Sequence, residues 1–292
     1  MANTQDIRRR IKSIRNTAQI TKAMQMVAAS KMRKAQQHAL AGRPYSELMN
    51  RVLVSLKSRT DPLLHPLLQI RPTNKELVLI ISTDKGLAGA LNTNIMREAA
   101  AFDTAKTVYV TAGRKARQFV ARTKRELLAD FELKDSPTIL ETKALSKFCV
   151  EKFLSGDVDK VTVLYTHFVN TINQKPVAQT LLPIDRFAFS AKSIGDQSEG
   201  AQADPMLEYT FEPSPHAVLD FMLPYYVQYQ VFQMVLDARA SEHSARMVAM
   251  KNATDNANQF IKDLTLEYNK MRQASITTEL LEIATAQMAV GG

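Results

Sequence analysis

Glycine and proline are absent from residues 225–290 and from residues 1–41. Glycine loosens a helix and proline removes a donor from it, so neither stretch contains a residue that would interrupt one. The C-terminal run is rich in Ala, Met, Leu, Gln, Lys, Arg and Glu, all strong helix formers. It predicts one helix of roughly 100 Å. A compact chain of 292 residues is only about 50 Å across. Such a helix must pair with another long segment, enter a partner, or do both.

Cysteine is nearly missing. Cys149 stands alone, which excludes an internal disulfide and a cysteine-based metal cage; it reads as a small buried residue. The histidines (His38, His65, His167, His216, His243) are scattered without metal-ligand spacing, and none is assigned chemistry. No apolar run approaches the roughly 18 residues a membrane span needs. The N-terminus lacks the apolar core of a secretory signal. Its basic, amphipathic character also suits a transit peptide, but the helical pattern continues unbroken into residues 40–59, so it is read as mature structure. No nucleophile has a base at a diagnostic local spacing, and the expected catalytic, cofactor and metal sites are none.

Charge is uneven. The net value is +9, and residues 1–34 carry nine Lys or Arg against one acid, Asp6. A basic arm suits an acidic partner surface or a phosphate backbone. Residues 1–44 contain no aromatic side chain, so single-stranded nucleic acid would find nothing to stack on.

Apolar or small residues recur at Ile7, Ile11, Ile14, Ala18, Thr21, Gln25, Ala28, Met32, Ala35 and Ala39 in alternating steps of four and three, the coiled-coil period. Gln25 is the polar exception, and Ile20, Met24 and Val27 make a second stripe. The helix is expected to continue past Gly42 and Pro44 with a kink, through Val52, Leu53 and Leu56, and to end at Asp61-Pro62. In the middle the period changes. Glu76–Ser82, Thr107–Thr111, Val161–Phe168 and Val177–Ile184 read as strands; Gly86–Phe102, Arg114–Arg122 and Ser146–Leu154 read as helices. This alternation predicts an α/β domain on a partly parallel sheet. Residues 190–205 read as a polar loop.

Ser214-Pro215 is an N-cap with proline at the first helical position, and Pro224 predicts a kink that leaves the Asp220 carbonyl free. One seam follows at Val231, Met234, Ala238, Ser241, Ala245 and Val248. Another runs through Ala257, Phe260, Leu264, Glu267, Met271, Ala274, Thr278, Leu281, Thr285 and Met288. The fold class is therefore α/β with long helices: an antiparallel two-helix coiled coil from the terminal segments plus a central α/β (Rossmann-like) domain. The expected divisions are residues 1–60, 61–212 and 213–292. Both long helices leave the same body, and the C-terminal one outruns the N-terminal one by roughly 28 Å.

Three stretches carry a resemblance. They are Arg10–Gln36 (RIKSIRNTAQITKAMQMVAASKMRKAQ), Ser82–Asn94 (STDKGLAGALNTN) and Ser241–Ile283 (SEHSARMVAMKNATDNANQFIKDLTLEYNKMRQASITTELLEI). Together they resemble the gamma subunit of the F-type ATP synthase, in order and along the whole chain. There are departures. Ala88 stands where the family commonly has Cys, the C-terminus ends EIATAQMAVGG, and the inserted cysteine pair of chloroplast members is missing. The short start favours a bacterial member.

The resemblance implies a non-catalytic central-stalk rotor on the cytoplasmic face of the bacterial membrane, peripheral and without a span. Its partners would be the alpha and beta subunits of the catalytic ring, the epsilon subunit and the c-subunit ring. Proton flow would turn it, and rotation would drive ATP formation in the beta subunits. By the same resemblance Lys22, Met24, Arg246, Arg272, Gln273, Ser275 and Thr277 contact beta subunits. Ile276, Leu280, Leu281, Ile283 and Met288 form a bearing tip, with Glu279 and Glu282 facing solvent or polar collar atoms. Asp84, Lys85, Gly86 and Gly89 lie toward epsilon and the c ring.

Each of these groups also has a plainer reading. The basic arm and the 272–277 cluster could be solvated helix faces. The glycine turn could cradle phosphate, but it lacks GxxxxGK[ST]; a tight turn with close packing accounts for it. Rival readings of the whole are a coiled-coil scaffold with a ligand-binding α/β domain, and an enzyme using the STDKGLAGALN turn.

Overall fold

The computed structural model describes residues 4–57, 65–184 and 211–290. Helices α1 (Thr4–Ala41) and α2 (Arg43–Lys57) precede a 3-10 turn at Pro66–Leu68. There follow β1 (Glu76–Ile81), α3 (Leu91–Ala100), β2 (Thr107–Ala112), α4 (Arg114–Arg122), β3 (Leu127–Phe131), α5 (Ile139–Leu154), β4 (Lys160–Phe168), β5 (Gln174–Leu182) and α6 (Pro215–Val290). The expected loop at 190–205 and the helix end at Asp61-Pro62 lie outside the described residues.

Contacts divide the chain into two units, residues 1–27 with 247–292, and residues 28–246. The first unit is a helix pair. Arg8 Nη2 donates to Tyr268 Oη at 2.7 Å, and the Thr21 and Thr254 hydroxyls meet at 2.7 Å. Rising numbers on α1 thus match falling numbers on α6, so the pair is antiparallel. Within this unit α1 covers Ile7, Ile11, Ile14, Ala18, Thr21 and Gln25, the seam expected from the sequence. On α6, from Ala257 onward, the covered positions are Ala257, Ile261, Leu264, Tyr268 and Met271. Phe260 is 59% exposed and Glu267 is exposed, so the expected seam was one step off at these two places. From Arg272 to Gln287 every residue is exposed. With Arg8 level with Tyr268, about 27 Å of α6 extends past the start of α1.

The second unit is built on one sheet of five strands in the order β3-β2-β1-β4-β5. β1 pairs in parallel with β2 and β4, β2 pairs in parallel with β3, and β4 pairs antiparallel with β5. β1 is buried on both faces, hence its unbroken apolar run. Leu77, Leu79 and Ile81 pack with residues of α2, α5 and α6, among them Leu53, Leu145, Phe153 and Val227. Val78 and Ile80 face the opposite layer, with Ile95, Ala99, Ala116 and Val120 of α3 and α4. Each fully buried side chain of this kind contributes roughly 1.5–3 kcal/mol.

Several boundaries differ from the sequence reading. The first helix breaks at Gly42, whose carbonyl accepts from Tyr229 Oη at 2.6 Å; a Cβ there would lie 2.5 Å from that oxygen. α3 starts at Leu91 instead of Gly86, because Leu87 and Gly89 adopt φ of 63° and 58° and make a turn. α5 starts at Ile139, set by a capping box of Thr138 and Glu141. β3 was not foreseen. α6 begins as expected, with Ser214 Oγ accepting from Ala217 N at 3.2 Å and Pro215 in the first turn, and the helix continues through Pro224.

Candidate functional site

In a sheet of this order the chain leaves β1 and β4 in opposite directions, and the ligand crevice of such folds opens outside their carboxyl ends. Here that place is taken by the chain's own helix. Residues 237–246 of α6 cross the carboxyl ends of β1, β3 and β4. Ser241 Oγ donates to Thr166 O, and Asp237 Oδ1 accepts from Phe168 N, each at 2.9 Å. Ser244 Oγ donates to Thr171 O at 2.9 Å, in the turn between β4 and β5. Arg239 donates to Leu133 O at 2.7 Å, just after β3, and to Asp84 Oδ2 at 3.4 Å, just after β1. Arg246 donates to Lys85 O at 3.4 Å and Gly86 O at 3.3 Å.

A second place where an anion could sit, the start of the helix after β2, is also spent. The first backbone N–H groups of α4 are free to bind an anion unless something caps them. Arg114 N donates to Asp84 Oδ1 at 3.0 Å, Lys115 N to Thr83 O at 3.1 Å, and Ala116 N to Ser82 Oγ at 2.8 Å. Gly113, with φ of 117°, lets the strands approach: a Cβ there would lie 2.3 Å from Ser82 O. Asp84 therefore caps α4 with one oxygen and holds Arg239 with the other.

The charges in this layer balance locally. Glu242 lies between Arg239 Nη1 and Arg246 Nη2, each at 2.7 Å, and side-chain exposures are 5%, 5% and 12% for Glu242, Arg239 and Arg246. Burial strips water from the Arg239 guanidinium, but Glu242, Asp84 and Asp135 outweigh that and hold its pKa above the ordinary value. Burial lifts the Asp237 carboxyl, opposed by the bonds from His167, 2.6 Å away, and from Phe168 N. His243 is buried and held below its ordinary value by lost hydration. Its Nδ1 has no hydrogen-bond partner among the described residues. Asp135 is exposed; what hydration it does lose is outweighed by the contact with Lys31, which keeps its carboxyl below the usual range. Among the described residues no group of three His, Cys, Asp or Glu could hold a metal ion.

Two groups that the resemblance assigned to different contacts come together here: Arg246, expected at a beta subunit, and the Asp84-Lys85-Gly86 turn, expected toward epsilon and the c ring. Lys85 and Gly89 are exposed on that turn. The remaining expected residues lie in the helix pair. Lys22 is exposed and Met24 half-buried. Arg272, Gln273, Ser275 and Thr277 are all exposed on α6. Ile276 is 47% exposed, Leu280 and Leu281 61%, and Ile283 58%. Glu279 and Glu282 are exposed, and Ser275 Oγ lies 3.3 Å from Glu279. The side chain of Met288 is outside the described residues.

Sequence reasoning missed Arg239, Glu242, His243, Ser244, Asp237 and His167. One signal was there: polar residues crowd 237–246 where the flanking seam of α6 is apolar. The partners that Asp237, Arg239 and Ser244 find on the sheet lie 69 to 155 residues away along the chain, beyond the reach of local pattern.

One unit is an α/β sheet whose ligand crevice is closed by the chain's own helix, and the other is an antiparallel helix pair with a bare end; these two features define the class of protein. The comparisons narrow it. A family model described as ATP synthase matches residues 3–290. The chain is 50% identical over 296 residues to the ATP synthase gamma chain of Methylacidiphilum infernorum, covering 100% of both chains. It is 49% identical over 293 residues to that of Opitutus terrae, covering 99% of both. Among solved structures it resembles a chain of the Euglena gracilis mitochondrial ATP synthase, with a TM-score of 0.68 at 20% identity over 98% of this chain and 94% of that one. A chain of the Tetrahymena thermophila mitochondrial ATP synthase central stalk and c-ring matches with a TM-score of 0.60 at 23% identity, over 80% of this chain and 99% of that one. This chain belongs to the ATP synthase gamma-chain family.

Proposed function

We propose that the chain is the non-catalytic central-stalk rotor of a bacterial ATP synthase, coupling proton flow through a c-subunit ring to ATP synthesis and hydrolysis in a ring of alpha and beta subunits. One observation carries the reading: α6 is bonded into the sheet at 237–246, yet from 272 to 287 it is exposed, and no described residue of its own chain covers it. Large apolar side chains left bare in a row mark a surface meant for a partner. A sleeve formed by the catalytic ring would cover it.

The mechanism follows from asymmetry. One helix pair cannot present the same face to three equivalent catalytic subunits, so each meets different residues. Differential contact shifts each subunit toward an open or a closed form, and turning the pair passes those forms round the ring. Only differences in contact between states matter, so no single contact need be strong. In this reading Lys22, Met24, Arg272, Gln273, Ser275 and Thr277 meet beta subunits, and Ile276, Leu280, Leu281, Ile283 and Met288 turn in the sleeve. Non-directional apolar contact suits a bearing better than fixed ion pairs.

Lys85 and Gly89 would face epsilon and the c ring, while Asp84, Gly86 and Arg246 hold that turn on α6. Functional divisions at 1–60, 61–212 and 213–292, and a place at the cytoplasmic face of the membrane, belong to the same proposal. Among the described residues no helix is long and apolar enough to cross a membrane.

Mixing the chain with purified alpha and beta subunits tests the reading. A complex of alternating alpha and beta subunits containing one copy of this chain is expected. Alpha and beta subunits that assemble without it, leaving the chain free, would overturn the proposal.

A further inference from the structure

We infer that α6 is keyed into the carboxyl end of the sheet against turning about its own axis, with Arg239 as the positioning residue that transmits torque between sheet and helix. The inference rests on the rotor reading, and its argument is the phase of the bonds around the helix. At about 100° per residue, Asp237, Ser241 and Ser244 share one face and Arg239, Glu242 and Arg246 share the opposite one. The first face is held by β4 and the turn after it, through Phe168 N, Thr166 O and Thr171 O. The second is held by the segments after β1 and β3, through Asp84, Lys85 O, Gly86 O and Leu133 O.

A helix held only by apolar packing resists twisting weakly, because dispersion has no direction. Hydrogen bonds weaken steeply once their angle falls below about 120°. Any twist of α6 drags the bonds on its two faces in opposite directions, so both sets oppose it together. Arg239 is central because its rigid fork of donors spans groups from separate segments: Leu133 O, Asp84 and the Glu242 carboxylate. The contrast lies farther along the same helix. Among the described residues, the hydrogen bonds made by the side chains of residues 275–285 stay within α6. One stretch of the helix is gripped and another is left free to slip.

The test uses the complete ATP synthase, reconstituted in vesicles with wild-type chain, with Arg239→Met, and with the Ser241→Ala/Ser244→Ala pair. The serine pair removes bonds without leaving a buried charge, so it stays informative if Arg239→Met fails to fold. ATP hydrolysis without an opposing proton gradient and ATP synthesis driven by a gradient are both measured. Each lost hydrogen bond shifts a local equilibrium by about fivefold. Unloaded hydrolysis should stay near wild type, whereas synthesis should fall by roughly threefold or more.

Synthesis at the wild-type rate in the serine pair, or hydrolysis and synthesis falling in equal proportion, would overturn the keyed joint. A wild-type chain that gives neither coupled activity would instead overturn the rotor reading itself.

Discussion

The Thr21 and Thr254 hydroxyl oxygens lie 2.7 Å apart, buried between α1 and α6. Each also reaches a carbonyl of its own helix, Ala18 O at 3.1 Å and Met250 O at 2.8 Å. One polar step in an apolar seam favours a single register, because sliding the helices would set both hydroxyls against aliphatic neighbours. Thr254→Val alone should cost about 1 kcal/mol. The double variant Thr21→Val/Thr254→Val should cost clearly less than the sum of the two singles, since neither hydroxyl is then left facing a methyl group. Urea unfolding of the four proteins of this cycle gives the answer; strict additivity would mean that the pair is not coupled.

Gly113 and Gly89 both adopt positive φ, but only one is crowded. A Cβ at Gly113 would lie 2.3 Å from the Ser82 carbonyl oxygen, whereas Gly89 has nothing within 4 Å. Gly113→Ala is therefore expected to cost about 3 kcal/mol or more, combining backbone strain with a clash against backbone. Gly89→Ala should cost only about 1–2 kcal/mol, the left-handed penalty alone. Thermal unfolding of the two variants should rank them in that order.

The sequence was most readable where one local rule decides the structure. On α1 a single stripe is covered, and its steps of four and three announce it. β1 and β2 are sandwiched between two helical layers, so their apolar runs stand out. On α6 the adjacent Phe260 and Ile261 are both apolar, and period alone chose the wrong one; the charge at Glu267, two turns later on the same stripe, was the warning.

β3 escaped because it is a half-exposed edge. It is tied down through Asp130, which accepts from Thr111 Oγ1 at 2.6 Å and Arg117 Nη1 at 3.0 Å, contacts no local pattern contains. The closed crevice was hidden for the same reason. Asp84 looked like part of a glycine turn, and only folding shows it capping α4 and holding Arg239.

His243 makes the fold sensitive to acid. Burial holds its pKa below 6.5, with Glu242 and Asp135 opposing and Arg246 and Lys31 adding to the drop. The unfolded chain takes up a proton near 6.5 that the folded chain refuses until lower pH. Stability from this group is therefore complete above 6.5 and is lost as pH falls below it. His243→Gln should flatten the decline in melting temperature between about pH 7.5 and 5.5, leaving a smaller slope from His65, which burial also lowers. An unchanged slope would show that His243 does not titrate in that window.

Removing residues 277–290 should leave the folding stability of the isolated chain within about 0.5 kcal/mol, as exposed positions allow. The same truncation should weaken its hold on the alpha and beta subunits. Calorimetric unfolding and size-exclusion of the mixture read the two effects separately; a large loss of stability would mean that the end of α6 packs on its own chain.

Direct observation of rotation tests the central claim. The chain, labelled on its exposed Lys85, is assembled with surface-fixed alpha and beta subunits and supplied with ATP. Stepwise turning of the label in one direction during hydrolysis is the predicted result. A label that stays still while the ring hydrolyses ATP at full rate would contradict it.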